Sequence, residues 1–200
     1  MTGARLFIHR TASLTAVTAI AVVSIAGCAS SESSGPPESS SVTAPDVGGP
    51  GDIPDTQAFV AAAFPGFTLT VPEGWSSTRS AEGGAFTDKL NSITVDARPA
   101  TTPPTESSVQ QDVDARVSTA PGYTPGSVTT VTRPAGNAVL ATYRIDGPVN
   151  PVTGKSVTDE VERYTFFREG RLVTITLSAP VGADNVDPWR TVTDSFRWTP

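Results

Sequence analysis

Few side chains in this sequence could do covalent chemistry. The 200 residues include one cysteine, Cys28, and one histidine, His9. Nucleophilic catalysis commonly pairs a Ser or Cys with a His base, so the positions of these two residues decide a good deal. His9 sits with Arg5 and Arg10 in a basic N-terminal stretch. Leu14 to Ile25 is almost wholly apolar, mixed with small Ser and Thr, and Ile25-Ala26-Gly27-Cys28 follows. A basic start, an apolar middle and a small-residue end make up an export signal. The apolar run is short for a membrane span, which needs about 20 residues. Residues 1–27 therefore read as a cleaved signal peptide. With it go His9 and Met1, and the triads that need His are excluded from what remains. A Ser-Lys dyad would have only Lys89 or Lys155 to use.

Ile25-Ala26-Gly27-Cys28 resembles the bacterial lipobox at all four positions: an aliphatic residue, two small residues and a cysteine. The resemblance implies diacylglyceryl transfer to Cys28 Sγ and cleavage between Gly27 and Cys28. Cys28 is thus the expected lipid-attachment residue, and the membrane a partner through its acyl chains. One acyl chain binds marginally, whereas two or more hold stably at roughly 0.8 kcal/mol per buried methylene. The expected location is the extracytoplasmic face of the cell membrane.

Removing residues 1–27 takes away two of the 14 basic residues, leaving 12 against 20 acidic and a formal charge of −8. Such a chain is a poor nucleic-acid partner, because neutralising phosphates needs clustered Lys and Arg. Nor does its net charge favour adhesion to anionic lipid. Zinc and copper sites lean on His and Cys, and no EF-hand spacing of acids around a central Gly occurs. Asp184 and Asp187 read as residues of a helix start rather than calcium ligands. No Gly-rich loop of the phosphate-cradling kind is present. No metal and no cofactor is expected. Asp159, Glu160 and Glu162 are the densest acids, and paired carboxylates can cleave glycosidic bonds. On a strand Glu160 and Glu162 share one face with Tyr164 and Phe166, which reads as a half-solvated sheet face. The expectation is a protein without catalytic residues.

The elements that would hold these residues follow from composition and period. Residues 28–54 are Ser, Pro, Gly and acids with little to bury, a tether after the lipidated Cys28. As a flexible coil it reaches roughly 25–30 Å. Residues 55–200 have the length of one domain. Ala-rich Thr56 to Phe64 suggests a short helix. Phe67, Leu69 and Val71 alternate as in a strand, and Pro72-Glu73-Gly74 is turn chemistry. Ala85–Lys89 and the alternating Ile93, Val95 and Ala97 make a hairpin around Leu90-Asn91. Ser108 to Gln111 has a capping-box pattern, and Val109, Val113 and Val117 give a helix one apolar face. Val128–Arg133, a strand with Val139, Ala141, Tyr143 and Ile145 on one face, Val157–Arg168 and Leu172–Ser178 complete the strands. Glu169-Gly170 marks a hairpin. Asp187-Pro188 starts a last helix, with Val186, Trp189, Val192 and Phe196 on its buried side. This is an α+β pattern, an antiparallel sheet with helices between strands and at the end.

The layout resembles a known family. A lipobox and Ser/Pro tether precede Phe-Thr-Leu-Thr-Val-Pro-Glu-Gly-Trp at 67–75. Arg-Glu-Gly-Arg-Leu-Val-Thr-Ile-Thr-Leu occupies 168–177, and Asp-Ser-Phe-Arg-Trp closes at 194–198. The chain is similar in this to mycobacterial lipoproteins of the LpqN and LpqT type, and more broadly to the PsbP-like fold. The Arg-rich, Lys-poor composition also looks like that of a high-GC actinobacterium. The resemblance implies a central antiparallel sheet flanked by helices, an α/β/α sandwich. It implies a non-catalytic binding or accessory protein of the cell envelope, with an envelope protein or lipidic ligand as partner. The alternative is a carrier holding an apolar ligand in a sheet-helix cavity lined by Trp75, Tyr143, Trp189 and Phe196.

Overall fold

The structure, a computed structural model, describes residues 49–200. The expected signal, Cys28 and most of the expected tether lie outside the described residues. Ten strands and two helices follow one another: β1 (Phe59–Phe64), β2 (Phe67–Pro72), β3 (Ser76–Arg79), β4 (Gly83–Asp88), β5 (Asn91–Pro99), α1 (Glu106–Val117), β6 (Thr124–Arg133), β7 (Gly136–Asp146), β8 (Thr158–Arg168), β9 (Arg171–Pro180), α2 (Val186–Ser195) and β10 (Arg197–Trp198). Neither helix is long and apolar enough to cross a membrane.

Seven strands form one antiparallel sheet in the order β3-β4-β5-β9-β8-β7-β6, and β1-β2-β10 form a smaller one. Alternation sends the two sides of each strand to different layers. Ile93, Val95 and Ala97 stand opposite Leu177, Ile175 and Val173. With Tyr164 and Phe166 of β8 they meet Phe67, Leu69, Trp189, Val192 and Phe196 in the main core. On the other side Val139, Ala141, Tyr143 and Val161 pack under Val109 and Val113 of α1. One large sheet with a helix on each face is the α+β architecture expected. Strand dominates it, and a second small sheet shares the α2 side.

Several expectations need correction. Thr56 to Phe64 is not a helix; Phe59–Phe64 is a strand paired with β2 across the Pro65-Gly66 turn. Helix propensity yields here to packing, since Ala62 and Phe64 alternate into the core. The capping box lies three residues earlier. Thr105 accepts from Ser108 N–H, and Ser108 Oγ accepts from Thr105 N–H. α2 starts at Val186 with Asn185 as N-cap, so Asp187 is in the first turn and Pro188 is not at the first helical position. Val186 is exposed, whereas Trp189, Val192 and Phe196 are buried. The folded region also begins before residue 55, because Ile53 is part of the core.

That early start depends on two side chains, Asn185 and Asp52. Asn185 Oδ1 accepts from Ile53 N–H at 2.8 Å, and Asn185 Nδ2 donates to Gly51 O at 3.0 Å. Asp52 Oδ1 accepts from Asp184 N–H at 2.9 Å. Gly51 has φ +92°, and a Cβ there would lie 2.5 Å from Pro180, so only glycine lets the chain lie this close. These bonds fix where the chain enters the domain, at the end of the sheet formed by the close of β9 and the start of β5.

Candidate functional site

The acids and bases singled out in the sequence do not converge. Glu160 and Glu162 do share a face of β8, and each has its own partner. Glu160 pairs with the guanidinium of Arg144. Glu162 accepts the Tyr164 hydroxyl at 2.8 Å, and Arg133 donates to the same hydroxyl oxygen at 3.0 Å. Burial and the Glu162 carboxylate push Tyr164 up to about 12, while Arg133 opposes them. Asp159 lies on the α1 side, where its carboxylate accepts Ser178 Oγ–H at 3.0 Å. Burial raises its pKa and the Ser178 bond lowers it. Lys89 lies in the β4–β5 turn, 3.7 Å from Asp88. Lys155 is exposed in the β7–β8 loop.

The rings proposed to line a cavity are divided between the two faces. Trp75 and Trp189 meet edge to face at 6.4 Å. Phe196 is fully buried, stacked on Phe166 at 4.5 Å and tilted against Phe67 at 5.8 Å. Tyr143 is on the opposite face beside Tyr123. The four side chains thus share no single space, and Phe196 is packed among the rings of Phe67, Phe166 and Trp198.

The arrangement best suited to a ligand lies beneath α1. α1 crosses β6 and β7 and leaves part of the same sheet face uncovered toward β9 and β5. A cleft of about 290 Å³ opens there. Leu172 and Thr174 of β9, Thr165 and Arg163 of β8 and Arg98 of β5 form its floor. Residues 100–104 and the α1 side chains Ser108, Val109 and Asp112 form its wall. Asp112 ties helix to sheet: one carboxylate oxygen accepts from Arg163 at 2.6 Å, the other from Arg116 Nε at 3.1 Å. The Arg163 side chain is only 14% exposed, and its Nε is buried with no hydrogen-bond partner among the described residues. A buried N–H without a partner costs about 1–3 kcal/mol.

Arg98, Arg163 and the hydroxyls of Thr101, Thr102, Thr165 and Thr174 make this cleft rich in donors. Guanidinium donors suit carboxylates and other oxyanions, which they bind in forked geometry. Sequence reading missed the site because Asp112 and Arg163 are 51 residues apart and neither belongs to a motif. A basic residue two positions after an apolar one, Val161 and Arg163, and so on the same side of a strand, was the one available signal.

No protein family model matches the chain, and no curated protein matches it. Solved structures do. One is a crystal structure from Bacteroides thetaiotaomicron VPI-5482, at 10% identity and TM-score 0.44, over 67% of this chain and 45% of that one. The chain therefore spans less than half the length of that structure. The cyanobacterial PsbP (CyanoP) of Synechocystis sp. PCC 6803 matches at 14% identity and TM-score 0.46, over 67% of this chain and 87% of that one. LpqN, involved in cell envelope biogenesis of Mycobacterium tuberculosis, matches at 16% identity and TM-score 0.45, over 73% and 93%.

Proposed function

We propose that the chain is a lipid-anchored extracytoplasmic protein whose domain binds an envelope partner and catalyses nothing. The anchor rests on the sequence around Cys28, where an export signal ends in an aliphatic residue, two small residues and the sole cysteine. Kinship with the LpqN and LpqT type is part of the same proposal, supported by the tether, the Pro-Glu-Gly-Trp turn at 72–75 and the terminal Asp-Ser-Phe-Arg-Trp. The observation that carries the binding reading is the cleft under α1. Its guanidinium groups, Arg98 and Arg163, and its rim of hydroxyls are an arrangement suited to oxygen acceptors of a partner.

The test is site-specific photocrosslinking in whole cells. A crosslinker at Thr101, on the cleft rim, is expected to capture a discrete envelope component. The same group at Thr78, on exposed β3, is not. Equal or random capture from both positions would sink the binding reading. Cys28→Ser separates the anchor from it, since that variant is expected in the aqueous phase of a detergent partition and wild type in the detergent phase.

A further inference from the structure

The exposed apolar side chains of the domain are not scattered. Among the described residues the large hydrophobics with high exposure are Val60, Leu90, Val149, Val152, Val157, Val181 and Val186. All but Val60 lie at one end of the seven-stranded sheet. Leu90 is in the β4–β5 turn, Val149, Val152 and Val157 are in the β7–β8 loop, and Val181 and Val186 flank the β9–α2 connection. Val152 is 91% exposed, Val186 65% and Val149 64%.

Hydrogen bonds knit these loops into one surface. Gly147 N–H donates to Val157 O, and Val181 N–H to Thr158 O. Asn185 Nδ2 donates to Gly51 O and to Asn91 Oδ1. The chain enters the domain at this same end, through Gly51 and Asp52. Both lysines of the chain, Lys89 and Lys155, lie here as well. Apolar surface gathered in this way marks an interaction site. The cleft under α1 opens toward the opposite end, between the close of β5 and the start of β9.

We infer that this end is a bilayer-facing surface, with the Val149-to-Val157 loop seated at the boundary of headgroups and acyl chains. The inference rests on the lipid-anchor reading. The occupant follows from where the chain outside the structure stops. About 20 residues separate Cys28 from Gly49, the tether expected from their composition would reach roughly 25 Å, and Gly49 is at the valine-bearing end. An anchor on so short a lead keeps the valines at high effective concentration beside the membrane, where weak apolar contact suffices. Lysines beside such a surface can keep their ammonium groups in the headgroup layer while their stems lie along apolar neighbours.

The carboxylates of this end are largely held inward or balanced. Asp52 caps the N–H groups of Gly49 and Asp184. Asp146 accepts from Thr158 Oγ1, Asp159 accepts from Ser178, and Asp88 is beside Lys89. Asp55, Glu73, Asp184 and Asp187 remain, so the contact rests on the valines and anionic lipid would not strengthen it. Seating this end on the bilayer points the α1 cleft away from it.

The full lipidated chain in phosphatidylcholine vesicles tests this. Cys28 is acylated, so Val152→Cys adds a unique thiol for an environment-sensitive fluorophore, and Glu169→Cys in the β8–β9 turn labels the far end. Label at 152 is expected to shift to the blue and to lose emission to a lipid-borne quencher, unchanged by salt, while label at 169 does neither. Equal, water-like emission from both positions overturns the inference. Shielding of 152 only when an envelope protein is added, without lipid quenching, overturns it in favour of a protein partner. A chain that fails to float with the vesicles defeats the anchor reading instead. The same two labels are then read with the domain held by an N-terminal histidine tag on nickel-chelating lipid, where quenching at 152 alone still supports the surface and its absence rejects it.

Discussion

On one face of the seven-stranded sheet, α2 and the β1-β2-β10 sheet bring Phe67, Phe166, Val192 and Phe196 into a core with no exposed surface on these side chains beyond about a hundredth. On the other, α1 covers the face with Val109 and Val113 and leaves a donor-lined cleft beside it. The helices are of similar length, ten residues and twelve. What differs is what they press upon the sheet. α2 presents aromatic and aliphatic bulk along a strongly one-sided surface. α1 presents two valines and an aspartate that reaches down to Arg163. The closed face carries most of the fold's apolar burial, and the open face keeps polar groups near enough to the surface to meet a partner.

Truncation should separate the faces most sharply. Phe196→Ala is expected to cost about 3–5 kcal/mol, as for other buried Phe. Val113→Ala should cost about 1.5 kcal/mol, at roughly 0.8 kcal/mol per methylene-sized group. Urea unfolding of the two variants checks the ratio, and equal losses would erase the distinction between faces.

A titrating group on each face gives the next contrast. Tyr164 belongs to the closed face, and its pKa is pushed up to about 12. A group raised in the folded state lends stability that is whole below its unfolded pKa, near 10, and is lost as pH climbs through the folded value. The domain should therefore weaken between about pH 10 and pH 12, by on the order of 2 kcal/mol. Tyr164→Phe should lack that part of the loss. Absorbance titration supplies a second reading. Tyr123 and Tyr143 are raised as well, chiefly by burial, so tyrosinate should appear late.

The smallest effect belongs to Asp159, on the α1 side. Burial raises this carboxyl, so its contribution is present in acid and lost as pH rises through the folded pKa. Asp159→Asn should be at least as stable as wild type at neutral pH, with the difference vanishing as acid protonates Asp159. A wild type more stable than the variant at neutral pH would mean that the Ser178 bond outweighs burial.

Much of the closed face could be read from alternation alone. Ile93-Val95-Ala97 and Val173-Ile175-Leu177 have the period of two that one buried side imposes, and they do oppose each other. Glu169-Gly170 foretold a tight hairpin, and both residues take positive φ, 48° and 81°, as its two central positions require. β1 escaped because three alanines mask a two-residue period. β3 escaped because all four of its residues are exposed and carry no pattern. The candidate site was barely legible. Its parts come from three strands, a loop and a helix, and the pairing of Asp112 with Arg163 exists only once those are assembled. Asn185 is similar: it takes the N-cap position of α2 two residues ahead of the expected start at Asp187, and its side chain serves the entering chain instead.

Asn185 and Asp52 also decide how the domain takes load. Any pull on the chain ahead of Gly49 arrives at three hydrogen bonds between residues 51–53 and residues 184–185 before it reaches β1. β1 is an edge strand, paired on one side alone, and would peel readily if tugged directly. The clasp transfers the tension to the corner between β9 and α2, next to the middle strand of the large sheet. In mechanical terms it is a strain relief, isolating a weak edge from any force applied through the preceding chain.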